Sequence, residues 1–201
     1  MKSIILITIL SVLVSCSTSE KKEFKLERGI AVVEGKVNNF ENGSKVVSFS
    51  GETIAGEINQ TAIIDSLGCF RTEIELFNHQ DIFLSYENGG AYLYLKPFGS
   101  LFIKFDSKSL EQDLYEISGS NPSTSKYIRD FYRFQDSYSY QPKYGDSVSI
   151  KEYLNDLKQQ MSLQNSVLNE FFMQHNPNQE FMHWAKKNIK YGVAGNLLLY
   201  Y

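Results

Sequence analysis

The sequence predicts an α+β fold, in which an N-terminal antiparallel β-sandwich of seven to eight strands is followed by about three α-helices. Between residues 30 and 118, short runs rich in Val, Ile, Phe and Tyr alternate with turn residues, which is typical of strands. After Gly119 the apolar residues recur with a period of about 3.6, which is typical of amphipathic helices. Strands that come first and helices that follow indicate an α+β chain, and short strands at this spacing favour a sandwich.

Eight segments carry the strand pattern. They are residues 30–37, 45–50, 61–65, 69–76, 81–86, 91–96, 101–106 and 114–118. Between the third and fourth, Asp65 can bond its own backbone and Gly68 accepts a positive φ, so a tight turn is expected there. Glycines are expected to supply the same freedom in the turns Asn88-Gly89-Gly90 and Pro97-Phe98-Gly99.

The first helix is expected to begin near Pro122 or Ser123, and one of its sides carries Tyr127, Ile128, Phe131, Phe134 and Tyr138. A second, longer helix is expected to start at Ser149, where Glu152 completes a capping box. Its apolar stripe contains Ile150, Tyr153, Leu154, Leu157, Met161, Leu168, Phe171 and Phe172.

Asn176 and Pro177 predict the cap and first turn of a third helix, which carries Phe181, Trp184 and Ile189. The printed sequence ends in the apolar run 197–201. We expect either that this run docks into the core or that the chain is cut inside a helix.

The N-terminus carries a secretory signal, expected to span residues 1–15. A basic residue, Lys2, precedes an apolar core of residues 4–14, which is shorter than the roughly 20 residues that cross a bilayer. Cys16 follows Leu13-Val14-Ser15, an arrangement that resembles the lipobox of bacterial lipoproteins. Cys16 is therefore the predicted lipidation site, and the alternative is an ordinary cleaved signal.

Lipidation of Cys16 would make the membrane a partner through a lipid anchor. Ser17 stands where an aspartate favours inner-membrane retention, so the resemblance implies the outer membrane. Only one acid, Glu20, follows closely, which favours an orientation towards the periplasm. Residues 16–29 are predicted to be a polar tether, residues 30–118 the sandwich domain and residues 119–201 a helical region.

Charge and cysteine content exclude several classes of function. The formal net charge is −3 and the chain has no basic run, so nucleic acid is not an expected partner. The chain has two cysteines, and no Cys-x-x-Cys motif occurs. With Cys16 lipidated, Cys69 has no partner for an intramolecular disulfide. Cys69 is expected to be a small buried hydrophobe, with a reactive thiol as the alternative.

No residue constellation predicts a catalytic, metal or cofactor site. His79 lies in a polar turn and is expected to be solvated there, while His175 and His183 straddle Pro177 and cannot share one regular helix. Glu73 and Glu75 share a strand face, where solvation is the expected role. No catalytic residue and no cofactor is predicted.

The strand aromatics admit two interpretations. Alternation along the strands places some of these rings outwards, where they could form a stacking platform for sugars, whereas an ordinary β-core is the expected role. The rings concerned are Phe83, Tyr86, Tyr92, Tyr94, Phe102 and Phe105.

Three motifs in sequence order resemble a known family. They are Val33-Glu34-Gly35-Lys36-Val37, Ile64-Asp65-Ser66-Leu67-Gly68-Cys69-Phe70 and Leu95-Lys96-Pro97-Phe98-Gly99-Ser100-Leu101-Phe102-Ile103. Together they resemble the N-terminal β-domain of lipid-anchored, TlpA-like thiol:disulfide oxidoreductases, and the segment from Ser118 onwards is similar to their helical linker. The resemblance implies a thioredoxin-like domain of about 100 further residues, with a Cys-x-x-Cys pair that this chain lacks.

The sequence therefore supports two hypotheses. In the first, the chain is the membrane-anchored, non-catalytic accessory region of a thioredoxin-like oxidoreductase, and a C-terminal thioredoxin-like domain is its partner. In the second, it is a stand-alone envelope lipoprotein whose sandwich binds a glycan, a peptide or an envelope protein. An independent enzyme is the least expected of the possibilities.

Overall fold

The computed structural model describes residues 27–41, 43–53, 56–112, 114–138 and 148–198. The signal segment and Cys16 lie outside this range. Eight strands come first: β1 (Gly29–Asn38), β2 (Val46–Thr53), β3 (Gly56–Ile63), β4 (Cys69–Leu76), β5 (Gln80–Tyr86), β6 (Gly89–Leu95), β7 (Ser100–Asp106) and β8 (Tyr115–Gly119). A single 3₁₀ turn, Leu110–Gln112, precedes β8, and the helices are α1 (Pro122–Asp136), α2 (Ile150–His175) and α3 (Gln179–Leu198).

The predicted α+β fold is confirmed, with the eight strands arranged in two four-stranded sheets. Sheet A has the order β4-β1-β7-β8, and sheet B has the order β3-β2-β5-β6. The strand pairs are antiparallel except that β1 runs parallel to β7, with Val32 opposite Ser100. The predicted antiparallel sandwich is therefore confirmed in its architecture, and the pairing of β1 with β7 is the one parallel pair among the described strands.

The two sheets enclose one hydrophobic core. Alternate residues of each strand point inwards, so that Val33 and Val37 of β1 and Leu93 of β6 are completely buried. Aromatic rings join the sheets: the Phe49 and Phe70 ring centroids lie 6.2 Å apart, and those of Tyr86 and Phe105 lie 5.5 Å apart. Burial of such large side chains supplies most of the driving force for the sandwich.

The helices form a second core against the outer side of β6. Ala91, Leu93 and Leu95 face the sandwich, whereas Tyr92 and Tyr94 face the helices. The buried members of the second core are Tyr94, Ile128, Phe131, Val167, Leu168, Phe171, Phe181, Trp184, Ala185 and Ile189. The period-two alternation of β6 thus explains how one strand serves two cores.

The edge of sheet B is closed where α1 begins. The Ser125 hydroxyl accepts a hydrogen bond from the Tyr94 backbone amide at 2.8 Å, and Ser125 is fully buried. A free strand edge would leave such an amide unpaired. The side chain therefore satisfies a buried backbone donor and fixes α1 on β6.

Two of the three expected turns form differently from the prediction. The Asp65 turn is confirmed: Asp65 Oδ1 accepts from the Leu67 and Cys69 amides at 2.8 Å, and Gly68 has a φ of +81°. In the other two turns a non-glycine residue has the positive φ. It is Glu87 (+50°) in the turn before β6 and Phe98 (+62°) in the turn before β7. The register is the cause in the first case: Tyr86 pairs with Gly89, so Gly89 and Gly90 belong to β6.

The capping box at the start of α2 is confirmed. Ser149 Oγ accepts from the Glu152 amide at 3.3 Å, and Glu152 Oε2 accepts from the Ser149 amide at 3.0 Å. The prediction for Asn176 is wrong, because it ends α2 in a left-handed conformation with a φ of 43°. Asn178 caps α3 instead, and its Oδ1 accepts from the Phe181 amide at 2.8 Å.

Helix α2 buries only part of its predicted stripe. Tyr153, Leu157, Leu168 and Phe171 are buried. The side chains at the edge of the stripe, which are about two-fifths exposed, are Ile150, Leu154, Met161 and Phe172. None of the helices within the described ranges is long and apolar enough to span a bilayer.

Candidate functional site

The outer face of sheet B carries a groove of about 480 Å³. Residues that alternate with the buried ones point outwards here: Ser50 and Glu52 from β2, Glu57 and Asn59 from β3. Asp81 and Phe83 from β5 and Tyr92 from β6 complete the lining together with Gly51, Ile58 and Gln80. We call this surface the sheet B groove, and it combines aromatic rings with carboxylate and amide groups.

The aromatic wall of the groove continues onto the helices. Phe83 and Tyr92, which are cross-strand partners, have ring centroids 5.0 Å apart at an interplanar angle of 56°. The ring centroids of Tyr92 and Tyr132 of α1 lie 4.5 Å apart, and those of Tyr132 and Trp184 of α3 lie 5.7 Å apart. Phe83 remains 36% exposed, so its ring is the part of this wall that a ligand can reach.

A glycine makes the position of Phe83 possible. A Cβ placed on Gly90 would lie 2.1 Å from Phe83 Cζ, so any larger residue would displace the ring. The sequence predicts that Gly90 belongs to a turn. In the structure Gly90 lies in β6, and because it has no side chain, the Phe83 ring packs directly against its backbone.

The acidic side of the groove is formed by Glu52, Glu57 and Asp81. Glu52 and Glu57 are direct cross-strand partners in the β2–β3 hairpin. Asp81 Oδ1 accepts a hydrogen bond from Trp184 Nε1 at 2.7 Å. Asn59 Nδ2 donates to Glu57 Oε2 at 3.2 Å. Within the described part of the chain, none of the three carboxylates forms an ion pair.

The tyrosines beside the groove are held in their neutral form. Burial raises the pKa of Tyr92, and the nearby carboxylates of Asp81 and Asp136 raise it further. Burial also raises the pKa of Tyr132, with Asp81 again contributing. For Tyr94, burial together with Glu180 and Asp81 raises the pKa to about 12. The phenols therefore serve as hydrogen-bonding, uncharged groups at physiological pH.

A second cleft, of about 600 Å³, separates the β4–β5 turn from α3. His79 and His183 both line it, together with Tyr94, Trp184 and Lys187. His79 Nε2 lies 3.4 Å from Glu27 Oε2. Partial burial lowers the pKa of His183, and the charges of Lys187, His79 and Lys186 lower it further. Local spacing could not reveal this pair, because the two histidines belong to separate elements.

The cleft does not assemble a metal site. Among the described residues, no group of three or more His, Cys, Asp or Glu side chains is placed to hold a metal ion. His175 does not line this cleft. It lies at the end of α2, where its ring stacks on that of Phe171 with the ring centroids 4.3 Å apart. His79 lies in the β4–β5 turn with its side chain 36% exposed, and its ring meets that of Tyr94 edge-on, with the ring centroids 6.3 Å apart.

Cys69 and the strand glutamates lie on or near sheet A. Cys69 begins β4 and is half-buried, so it is less enclosed than the small core hydrophobe that was expected. Glu73 and Glu75 point outwards from β4, and their carboxylates lie 2.8 Å from Arg71 and 2.7 Å from Arg28. These exposed ion pairs agree with the expected solvating role.

The structure divides the six strand aromatics between core and surface. Tyr86 and Phe105 are in the sandwich core, and Tyr94 is buried under the helices. Phe102 is 39% exposed but lies on sheet A, so it does not share a platform with Phe83. The expectation of core packing therefore holds for three rings, whereas Phe83 and the half-buried Tyr92 line the sheet B groove.

Sequence reasoning missed several groove residues. The alternation Ser48, Ser50, Glu52 in β2 and Glu57, Asn59, Thr61 in β3 is a signal that could have indicated a polar outer face. Trp184 and Tyr132, which contact the groove residues Asp81 and Tyr92 from behind, carry no such signal, because these contacts arise only from the packing of α1 and α3 on β6.

Comparison with known proteins adds little to this picture. No protein-family model matches the sequence, and no curated protein matches it. Among solved structures there is a similarity to a protein described as "a putative cell adhesion protein" from Bacteroides ovatus ATCC 8483, with 10% sequence identity and a TM-score of 0.29. The match covers 47% of this chain and 44% of that one, so the chain spans less than half of that protein's length. A likeness this distant carries no argument about function.

Proposed function

We propose that the chain is the membrane-anchored, non-catalytic accessory region of a TlpA-like thiol:disulfide oxidoreductase. The non-catalytic part of this proposal rests on the cysteine content: Cys69 is the sole cysteine apart from the predicted lipidation site, Cys16. Thiol–disulfide exchange within one active site requires an attacking thiol and a resolving thiol. The three motifs between Val33 and Asp106 that resemble the accessory domain of this family support the assignment.

The packing of the helices agrees with a scaffold role. Helices α1, α2 and α3 form their own core with Tyr94 of β6, so the segment after the sandwich is folded back onto it. Lys96 at the end of β6 pairs with Glu180 at the start of α3, and this contact joins the same two elements. A helical segment held in this way would fix the position of whatever domain follows it.

Disulfide reduction tests the redox part of the proposal. The mature chain, residues 16–201, is incubated with insulin and dithiothreitol and compared with the product of the whole reading frame. We expect no turnover by the chain and turnover by the longer product, in which a Cys-x-x-Cys should follow a predicted strand. Turnover by the chain itself, abolished in Cys69→Ala, would contradict the proposal.

Metabolic labelling tests the anchor. Cells that express the full chain are supplied with radiolabelled palmitate, and the protein is recovered from separated membranes. We expect label in the wild type and in Cys69→Ala, and none in Cys16→Ala. Cys69→Ala is the matched control, because it removes the other thiol of the chain. Label that persists in Cys16→Ala would contradict lipidation at this residue.

A second candidate function is ligand binding by a stand-alone envelope lipoprotein. The observation that favours it is the exposed ring of Phe83 beside Tyr92 and three carboxylates in the sheet B groove. Calorimetric titration of the mature chain with saccharide and peptide ligands tests this candidate. Phe83→Ala should abolish the heat of binding, whereas Phe102→Ala, which removes a comparably exposed ring on sheet A, should retain it.

A further inference from the structure

We propose that the sheet B groove binds a basic peptide segment of a partner protein through its Arg or Lys side chains. This inference rests on the second candidate function, ligand binding by the sandwich, and specifies the class of ligand. It does not depend on a redox domain.

The charge of the groove is the first argument. Glu52, Glu57 and Asp81 all line it, and no Lys, Arg or His does. Lys and Arg side chains elsewhere in the described chain pair with other acids, such as Arg71 with Glu34 and Glu73. The groove therefore presents a concentrated negative charge that repels anionic ligands and attracts cationic ones.

The register of the strands makes this charge costly without a ligand. Glu52 stands directly opposite Glu57, and like charges in this position destabilise an antiparallel pair. The β2–β5 pairs end with Ser50 opposite Phe83, and beyond them Gln80 Nε2 donates to the Glu52 carbonyl oxygen at 3.2 Å. Glu52 and Asp81 therefore line the groove from neighbouring strands. The three carboxylates thus form a row across three adjacent strands, about 10 Å from end to end at the usual strand spacing.

The aromatic rings supply the second half of a cation site. The Phe83 and Tyr92 rings meet at 56°, and Phe83 is open to solvent. A guanidinium or ammonium group that enters the groove can lie over an aromatic face while its N–H groups bond the carboxylates. Carboxylates and aromatic faces in one groove are complementary to both features of a basic side chain.

The dimensions favour a peptide over a metal ion. Within the described part of the chain the acidic groups are not clustered closely enough to hold a metal ion, whereas about 480 Å³ accommodates organic side chains. In an extended peptide, alternate side chains project on the same side about 7 Å apart. Two basic side chains at that spacing fit within the row of Glu57, Glu52 and Asp81, which is about 10 Å long.

The unique tryptophan provides the readout. Trp184 is the only tryptophan of the chain, and its indole donates to Asp81, one of the groove carboxylates. A cation that binds Asp81 should change the emission of Trp184. The probes are the blocked peptide Ac-GRGRG-NH2, its acidic counterpart Ac-GEGEG-NH2, and the neutral saccharide chitotriose.

We expect a saturable change in emission with the basic peptide, weakened by added salt, and no change with the acidic peptide or the saccharide. Glu52→Gln combined with Glu57→Gln should weaken binding about fivefold or more, and Phe83→Ala should also weaken it. The matched controls are Glu34→Gln combined with Glu73→Gln, which changes the net charge equally on sheet A, and Phe102→Ala. Both controls should bind like the wild type.

Three results would overturn the inference. Equal weakening by the sheet A controls would mean that the peptide responds to net charge and not to the groove. Binding of chitotriose, lost in Phe83→Ala, would make the ligand class wrong while the binding function stands. Binding of none of the probes would contradict both. The thermal midpoint of the variant with Glu52→Gln and Glu57→Gln controls for misfolding. Removal of the repulsion between the two carboxylates predicts an unchanged or raised midpoint, and a loss of binding in such a folded variant is then due to the lost charges.

Discussion

Trp184 Nε1 of α3 donates a hydrogen bond to Asp81 Oδ1 of β5 at 2.7 Å, although 103 positions separate the two residues in the sequence. The indole is buried in the helical core, and the carboxylate lies in the sheet B groove. This bond therefore joins α3 of the helical core to the outer face of β5 and places a helix residue behind a surface formed by strands.

Removal of the Asp81 acceptor should destabilise the contact between sheet and helices. Asp81→Ala leaves the buried indole N–H without its partner, and we expect a loss of about 2 kcal/mol in the free energy of unfolding. Asp81→Asn retains an acceptor of the same shape and should lose less. Urea denaturation monitored by Trp184 emission measures both, and equal stability of wild type and Asp81→Ala would contradict this role.

Gly35 of β1 should not tolerate a side chain. A Cβ there would lie 2.2 Å from Phe70 Cζ and 2.6 Å from the Ile103 carbonyl oxygen, which the sheet holds in place. We expect Gly35→Ala to lower the free energy of unfolding by about 3 kcal/mol. Gly192→Ala in α3 is the control, because its Cβ would meet no atom within 4 Å. That change should stabilise the protein by about 1 kcal/mol, since alanine favours helix more than glycine does.

The capping box of α2 can be tested by a single hydroxyl deletion. Ser149→Ala removes the acceptor of the Glu152 amide, and we expect a loss of about 1 kcal/mol in the free energy of unfolding. Ser162→Ala, at an exposed position within the same helix, should be neutral or slightly stabilising. Guanidinium denaturation followed by far-ultraviolet circular dichroism compares the two. A loss in the second variant as large as in the first would argue against a capping effect.

Tyr94 should make the fold sensitive to alkaline pH. Its pKa in the folded protein is about 12, raised by burial and by Glu180 and Asp81, whereas the unfolded value is 10.0. The unfolded chain releases the phenolic proton first, so the stability that Tyr94 contributes is complete below pH 10 and is lost as the pH rises through 12. Tyr94→Phe should reduce this loss, measured by urea denaturation between pH 8 and about 12.

The control for the alkaline titration is Tyr191→Phe. Tyr191 is 64% exposed on α3, so its replacement should leave the pH dependence as in the wild type. Identical pH profiles for wild type and Tyr94→Phe would show that the burial of this phenol does not govern alkaline unfolding.

Local chemistry was sufficient to predict much of the fold. The alternation of Tyr92 and Tyr94 with Leu93 predicted a strand with two different faces, and both faces are now seen to be used. The pairing of Ser149 with Glu152 predicted the start of α2, because a capping box depends on residues three positions apart. Such signals lie within a few residues of each other in the chain.

Long-range contacts account for what could not be predicted. The parallel pairing of β1 with β7 depends on residues such as Val32 and Ser100, whose patterns resemble those of antiparallel neighbours. Asn176 and Asn178 both suit a helix terminus, and the packing of two helices decides which one each residue caps. The groove was not predicted because Glu52, Asp81 and Trp184 come together only in the folded chain.

The central place of β1 in sheet A has a mechanical consequence. Hydrogen bonds to β4 on one side and to β7 on the other hold this strand along its length. Tension applied at Gly29 along the strand direction would load both rows of bonds in shear, so that many bonds must break together. The hydrogen bonds of an edge strand pulled away from its sheet would instead break one after another, and the strand would detach at a lower force.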